Sequence, residues 1–399
     1  MILWREGRVT SERREWDGAV EYEAEVYSAA GGTWTPCRAL AYPRLVGRPA
    51  VGQRVLLNTT ALERGLGTGG YALVAAVLDE LPPDPAQGPG HLVKARYTPL
   101  QAMVLGVDEQ ESRHHPVLAD ADDLLGLPVV VADLHSSLPA IVAGLRQAAP
   151  HARVAYVMTD GGALPAWFSR TIDGLRQAGW LDTCITVGQA FGGDLEAVSV
   201  HSGLLAARHV AQVDVAVVSQ GPGNLGTGTR WGFSGVQAGE VINAAGTLNG
   251  RPVATLRVSG ADARERHRGV SHHSLTAYGR VALLAADVVV PDFGSLPEDD
   301  EQLAASSPSP AAGNPEARAV GDNAPTPLPE LARLIDRQVT PLFAPHGRHR
   351  EVRVGVDGLL EALRESPVGL STMGRNLAAD PAAFLAAAAA GRHAATLLA

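Results

Sequence analysis

Pro128-Val129-Val130-Val131-Ala132-Asp133-Leu134-His135-Ser136-Ser137 is the stretch on which the fold turns. An apolar run rich in β-branched residues that ends abruptly on an acid, a histidine and two hydroxyls reads as a strand buried on both faces, with its polar side chains at the carboxyl end. The pattern recurs in Arg153-Val154-Ala155-Tyr156-Val157-Met158, Thr183-Cys184-Ile185-Thr186-Val187, Val213-Asp214-Val215-Ala216-Val217-Val218, Pro252-Val253-Ala254-Thr255-Leu256 and Asp287-Val288-Val289-Val290. Helix-length amphipathic segments separate these runs. The alternation predicts right-handed βαβ units and a doubly wound, mostly parallel α/β sheet, Rossmann-like in outline. Ligands in such sheets sit at the carboxyl ends of strands, so the residues after each run are the candidates.

Upstream, residues 2–81 carry short alternating segments of β-formers between glycine turns, among them Val20-Glu21-Tyr22-Glu23-Ala24-Glu25-Val26-Tyr27 and Tyr71-Ala72-Leu73-Val74-Ala75-Ala76-Val77. They predict a small N-terminal antiparallel β-barrel. Pro82, Pro83, Pro85 and Pro89 mark a linker, and residues 92–107 read as an extended bridging strand. The expected organisation is a barrel domain over 1–110, the α/β domain over 111–295, a disordered proline-rich insertion over 296–329 and C-terminal helices over 330–399 that complete the α/β domain. Asp380-Pro381 forms an N-cap and first-turn pair for the last helix, whose alanine-rich sequence suits internal packing or a homodimer.

Composition narrows the chemistry. With 46% hydrophobic and 19% charged residues over 399 positions, the chain is globular. Of 33 basic residues all but Lys94 are arginine, which removes a Walker-type phosphate loop and leaves one lysine for Schiff-base chemistry. Gly and Pro make up about 18% of the chain against a usual ~12%, the bias of a GC-rich genome, so glycine richness alone is no functional signal. The net charge of −9 and the absence of a basic stripe disfavour nucleic acid. No signal-peptide pattern or long apolar span is present, which predicts a cytoplasmic protein without a membrane segment. Cys37 and Cys184, far apart and outside any CxxC, are expected to be reduced.

Three loops carry the candidate chemistry. Ser219-Gln220-Gly221-Pro222-Gly223-Asn224-Leu225-Gly226-Thr227-Gly228-Thr229 follows a strand and precedes a predicted helix, so its glycines (G-x-G-x-x-G at Gly221, Gly223 and Gly226) could free backbone N–H groups to cradle an anion at a helix N-terminus. Gln220, Asn224, Thr227 and Thr229 would add side-chain contacts. A dinucleotide site would need an acid at the end of the next strand, where Arg257 and Ser259 stand instead. Asp160 in Met158-Thr159-Asp160-Gly161-Gly162 offers an acid or base, with Gly161 and Gly162 allowing close approach of a ligand, or else it organises the turn. Asp133 and His135 form a D-x-H pair for proton chemistry, while Ser136 or Ser137 is expected to cap the following helix.

Histidines cluster again at His267, His272 and His273; His272 and His273 would lie at the same edge, and with Asp133, His135 and Asp160 they compose a hydrolytic or metal-binding constellation. No tight ligand spacing such as H-E-x-x-H exists, so no residue is assigned to a metal, and the cofactor is unknown. Arg375, in Ser371-Thr372-Met373-Gly374-Arg375, would reach over the edge toward an anion.

Several segments together resemble one known family. These are Leu57-Asn58-Thr59-Thr60-Ala61-Leu62, Gly90-His91-Leu92-Val93-Lys94-Ala95-Arg96-Tyr97-Thr98-Pro99-Leu100, Met158-Thr159-Asp160-Gly161-Gly162-Ala163-Leu164-Pro165, residues 221–229 and Leu370-Ser371-Thr372-Met373-Gly374-Arg375. The chain resembles an uncharacterised, largely actinobacterial domain-of-unknown-function family. The resemblance implies a bacterial cytosolic protein and supplies no activity. Read from the residues, the leading expectation is an enzyme of group transfer or hydrolysis acting on a small anionic or nucleotide-like ligand. The alternative is a non-catalytic ligand- or RNA-binding regulator that uses Arg8, Arg38, Arg44 and Arg54 on the barrel.

Overall fold

A computed structural model describes residues 1–28, 31–66, 69–296, 325–345 and 347–398. The proline-rich insertion predicted over 296–329 lies mostly outside the described residues. The chain divides into two compact units, one of residues 1–105 with 167–173 and one of residues 106–166 with 174–399.

In the first unit, β1 (Trp4–Trp16), β2 (Ala19–Ser28), β3 (Thr33–Ala41), β4 (Arg54–Asn58) and β5 (Tyr71–Val77) close a five-stranded barrel in the order β1-β2-β3-β5-β4. Alternation along the strands places Val9, Val20, Tyr22, Ala24, Val55, Leu57 and Val74 inside. Four pairings are antiparallel and β3 with β5 is parallel. Trp16 donates its indole N–H to the Trp167 carbonyl at 2.6 Å, which fixes the segment 167–173 on this unit. Residues 92–107 do not form one bridging strand. They make a hairpin of β6 (Leu92–Lys94) and β7 (Ala102–Val104), and the lone lysine, Lys94, is buried.

The second unit is built on eight parallel strands. In chain order they are β8 (Pro128–Val131), β9 (Val154–Thr159), β10 (Thr183–Thr186), β11 (Leu195–Glu196), β12 (Val215–Gln220), β13 (Arg251–Thr255), β16 (Asp287–Asp292) and β17 (Arg350–Gly355), with a short antiparallel pair, β14 (Val258–Ser259) and β15 (Gly269–Val270), between β13 and β16. A second such pair, β18 (Ser371–Thr372) and β19 (Arg375–Asn376), follows β17. Spatially the sheet runs β11-β10-β9-β12-β8-β13-β16-β17. All six predicted strands of the α/β region are present, the short strand expected around Glu351–Val356 forms one edge as β17, and the sheet adds β11 at the other.

The order explains where a site can form. The chain leaves β8 toward β9 on one side and leaves β12 toward β13 on the other. Right-handed crossovers therefore put the helix Leu138–Ala148 and the helix Gln237–Thr247 on opposite faces, and their connections part above the carboxyl ends of β8 and its neighbours. Every residue of β8, β9, β10 and β12 is buried, so no polar group that needs solvent fits within them.

The alanine-rich helix Pro381–Thr396 lies against Leu138–Ala148 and the strands β16, β13 and β8. Its alanines from Ala386 to Ala390 are all buried, which makes it a packing element of this chain. Contact is backbone to backbone: a Cβ added at Gly391 would stand 1.8 Å from the Ile141 carbonyl oxygen, and one at Gly144 would stand 1.9 Å from that of Ala388. Alanine favours a helix interior over glycine by about 1 kcal/mol, but here the two helices would have to separate. Gly391→Ala is therefore expected to destabilise the chain by about 1–3 kcal/mol, the usual cost of overpacking. Urea midpoints of the variant and the parent check this, and a more stable variant would show that the helices are not in contact there.

Candidate active site

Asp133, the first polar residue after β8, is 2% exposed, and its Oδ2 is buried with no hydrogen-bond partner. The nearest side-chain nitrogens are Arg257 Nη1 at 3.8 Å and His273 Nδ1 at 3.7 Å. Its backbone carbonyl accepts from Gln220 Nε2 at 2.8 Å, and the same amide donates to Asn224 Oδ1 at 2.9 Å. Gln220 Oε1 is a second buried oxygen without a donor. Each such group costs about 1–3 kcal/mol, and Thr255 Oγ1, at the end of β13, is a third without a partner at this edge of the sheet.

From β9, Thr159 donates to Gln237 Oε1 at 3.1 Å, and Gln237 Nε2 donates to Asp160 Oδ1 at 3.4 Å. The Gln189 backbone N–H donates to Asp160 Oδ2 at 2.9 Å. Asp160 thus ties the ends of β9 and β10 to the helix Gln237–Thr247. Asp133, Thr159, Ser219, Gln220, Ser234 and Gln237 line a small cavity of about 10 Å³, about the space of one water.

Two buried tyrosines hold the strand ends. Tyr156 Oη lies 2.9 Å from His135 Nδ1, 3.1 Å from Ser219 Oγ and 3.0 Å from the Gln220 carbonyl. Tyr278 Oη lies 3.2 Å from the Val131 carbonyl and 3.0 Å from that of Thr255. Tyr278 sits in a π-helical turn, Ala277–Val281, which carries its ring beneath Asp133's strand. Burial, reinforced by the Asp133 charge, keeps the Tyr278 phenol well above its ordinary range. Asp133 and His135 point to different partners: the carboxylate faces Arg257 and His273, while the imidazole bonds Tyr156. Burial pushes His135 down to about 4, so it is neutral at pH 7.

Three histidines gather beside Asp133. His267, His272 and His273 each offer a nitrogen within 4.8 Å of the others. Phe233 stacks flat on His273, centroids 3.8 Å apart. His267 is held near 3 by burial and by the charges of Arg257, Arg264 and His273, and His272 near 4 by burial, His273 and Arg266. Arg257 donates to His273 Nδ1 at 3.1 Å, and burial lowers the guanidinium from its ordinary value.

The glycine loop is used differently from its expectation. The helix begins at Gln237, beyond a 3-10 turn at Ser234–Val236, so residues 221–229 do not form its N-terminus. The loop closes on itself as a hairpin: Thr227 N donates to the Gly232 carbonyl at 2.7 Å, Ser234 N to the Leu225 carbonyl at 3.0 Å, and Leu225 N to Ser234 Oγ at 3.0 Å. Thr229 accepts from Gly232 N at 3.1 Å, while Gly223 and Gly226 stand exposed. Gly161, Gly162 and Gly221 serve loop-to-loop contact. A Cβ at Gly162 would meet the Gly221 carbonyl oxygen at 2.1 Å, one at Gly221 would meet that of Ala163 at 2.4 Å, and one at Gly161 would meet Gln220 Oε1 at 2.6 Å.

Three further expectations are corrected by pairing. Arg375 is not held out for a ligand: it donates to Asp380 Oδ2 at 3.1 Å and to Asp262 Oδ2 at 3.2 Å. Asp380 does not cap the last helix through its side chain, because its oxygens accept from Ser259 Oγ, from Gly260 N at 3.0 Å and from Arg375. Ser259 is thereby committed to a structural network. Ser137 precedes the helix Leu138–Ala148 without a side-chain cap bond, and Ser136 Oγ donates to Thr372 at 2.9 Å. On the barrel, Arg38, Arg44 and Arg54 pair with Glu21, Asp17 and Asp79, and Arg8 lies over Trp34.

Gln237, Ser234, Tyr156 and Tyr278 complete the site and were not singled out from sequence, whereas His267 belongs to the histidine cluster noted there. Tyr156 had a signal, a hydroxyl inside an otherwise apolar strand. The others meet the site only through tertiary folding. A family model described as "Protein of unknown function (DUF3866)" matches residues 38–391. The chain belongs to the DUF3866 family. The matched span of DUF3866 includes every side chain of the site, from Asp133 to Arg375, and all of the barrel from residue 38. No curated protein and no solved structure matches the chain. Among the described residues no helix is long and apolar enough to cross a membrane.

His135 gives this DUF3866 chain a pH signature. Its imidazole is neutral in the folded state until about pH 4 and protonates near 6.5 when unfolded. Its stabilising contribution is complete above pH 6.5 and is lost as pH falls toward 4, at about 1.4 kcal/mol per unit. The difference in unfolding free energy between the parent and His135→Gln should shrink with that slope from pH 6.5 to 4.5, the other histidines cancelling. A difference independent of pH would show that His135 is solvated.

Proposed function

We propose that this protein binds a small anionic or nucleotide-like ligand at the carboxyl ends of β8, β9, β12 and β13 and carries out hydrolysis or group transfer on it. The observation that carries the reading is the pair of buried oxygens without donors, Asp133 Oδ2 and Gln220 Oε1, at the place where the crossovers part. A ligand bearing hydroxyl or amino donors relieves both. The anionic character comes from Arg266, which is exposed, has no ion pair among the described residues and has a guanidinium 3.8 Å from where a Gly228 Cβ would stand.

In this scheme Asp133 is the proton acceptor, as a carboxylate short of donors beside His273, and Gln220 and Asn224 hold the polar edge of the ligand. Asp160 and His135 position the strand ends through Gln237 and Tyr156. The glycine hairpin, with Phe233 on His273, covers the site. The cavity is small, so ligand entry requires this exposed hairpin to lift.

Thermal-shift measurements on the full chain with inorganic phosphate, pyrophosphate and adenosine monophosphate test the binding step. Stabilisation is expected, with Arg266→Ala and Gln220→Leu each weakening the apparent affinity about tenfold or more. For a phosphate ester that is turned over, Asp133→Asn should lower kcat at least 10²-fold while binding persists. Failure of all three probes to stabilise the chain, or an affinity unchanged from the parent's in both binding variants, would overturn the reading.

A further inference from the structure

We infer that His267, His272 and His273 form a binding site for a single divalent transition metal of the zinc class, with Asp133 as the carboxylate behind one of the ligands. This goes beyond the preceding reading and does not depend on it, since it needs only the three imidazoles. Their nitrogens, one from each ring, lie within 4.8 Å of one another. Tetrahedral Zn–N bonds of about 2.0–2.1 Å place such nitrogens about 3.3 Å apart, so the set must tighten by up to about 1.5 Å around an ion.

The bonds around the three rings fit ligands better than a simple stack. His267 Nδ1 lies 2.8 Å from Ser271 Oγ, which orients the ring and leaves its other nitrogen for the metal. His272 Nε2 is buried and has no hydrogen-bond partner. His273 Nδ1 stands between two groups of opposite demand, with Arg257 Nη1 donating to it at 3.1 Å and Asp133 Oδ2 at 3.7 Å lacking any donor. If the proton sits on His273 Nδ1, it can bond Asp133, and Nε2 is then free to ligate. A metal at Nε2 selects that tautomer and gives the orphaned carboxylate its donor. Carboxylate, histidine and metal in line are the usual arrangement behind metal-bound imidazoles.

Of the three arginines whose charges reach the rings, Arg257 faces Asp133, Arg264 is bonded twice to Asp262 at 2.9 and 2.8 Å, and Arg266 is exposed to solvent. Three neutral nitrogen ligands leave a fourth position for water or a ligand oxygen, the open geometry of catalytic zinc sites. Phe233, stacked on His273, closes the apolar side and fixes the ring plane. Imidazoles without carboxylate ligands favour zinc, cobalt or nickel over magnesium or calcium.

The test uses the full-length chain, stripped with chelator and titrated with Zn²⁺ alone by calorimetry, with Co²⁺ absorption as the coordination readout. One ion per chain and a tetrahedral Co²⁺ spectrum are expected. His272→Gln, at a half-buried position, should lose stoichiometric binding while keeping the parent's far-UV dichroism and metal-free melting. Asp133→Asn should weaken Zn²⁺ 10–100-fold and keep the spectrum. No stoichiometric Zn²⁺ in the parent, or unchanged affinity in a folded His272→Gln, would overturn the assignment. Neither outcome bears on phosphate binding, which is measured without metal.

Discussion

Eight strands pointing the same way and buried on both faces impose the constraint from which the rest of the structure follows. Hydrogen-bonding side chains cannot be left unmatched inside such a sheet, so they collect at its ends. Inserting β12 between β9 and β8 brings the carboxyl ends of three strands from separate parts of the chain side by side. It also makes the crossovers diverge, which opens a crevice above β8 and leaves Asp133 at its floor. Tyr156 and Tyr278 secure those ends from beneath, each spanning two strand termini with one hydroxyl.

The second unit holds two buried carboxylate clusters, and the contrast between them separates structure from function. Asp380 and Asp262 are bonded to Arg375, Arg264, Ser259 and backbone N–H groups. Burial alone raises an aspartate, yet these bonds leave Asp262 well below the usual carboxylate range. That cluster is complete and anchors the start of the last helix. Asp133 has the Arg257 guanidinium at 3.8 Å, the His273 imidazole at 3.7 Å and a bare Oδ2. A buried charge is maintained only where something compensates for it, and the compensation at Asp133 is unfinished.

Much of this architecture was legible in the sequence. Runs such as Pro128-Val129-Val130-Val131 and Val215-Ala216-Val217-Val218 are local signals, because burial on both faces demands continuous apolar residues. Asp133, Gln220 and His273 could be named because the strand ends are where polar groups must appear. The uses of Arg375, Ser259 and Asp380 were not legible, since their network joins segments more than a hundred residues apart, as in Ser259 with Asp380 and Arg375 with Asp262, even though Arg375 and Asp380 themselves are neighbours. The glycine loop misled for a related reason. G-x-G-x-x-G describes backbone freedom, which a self-closed hairpin and a tight loop crossing use as readily as an anion does. The clustering of His267 with His272 and His273 was legible from their spacing, and the fold of β14 and β15 brings the three rings together.

The most direct measurement of the central claim, that the strand ends at Asp133 and Gln220 form the binding site, is a crystal structure of the full chain grown with saturating adenosine monophosphate. The account predicts the ligand within hydrogen-bond reach of Gln220, with its phosphate on Arg266 and the residues 221–233 hairpin lifted. An ordered ligand seated elsewhere, or a hairpin still closed over an empty crevice at saturation, would contradict it.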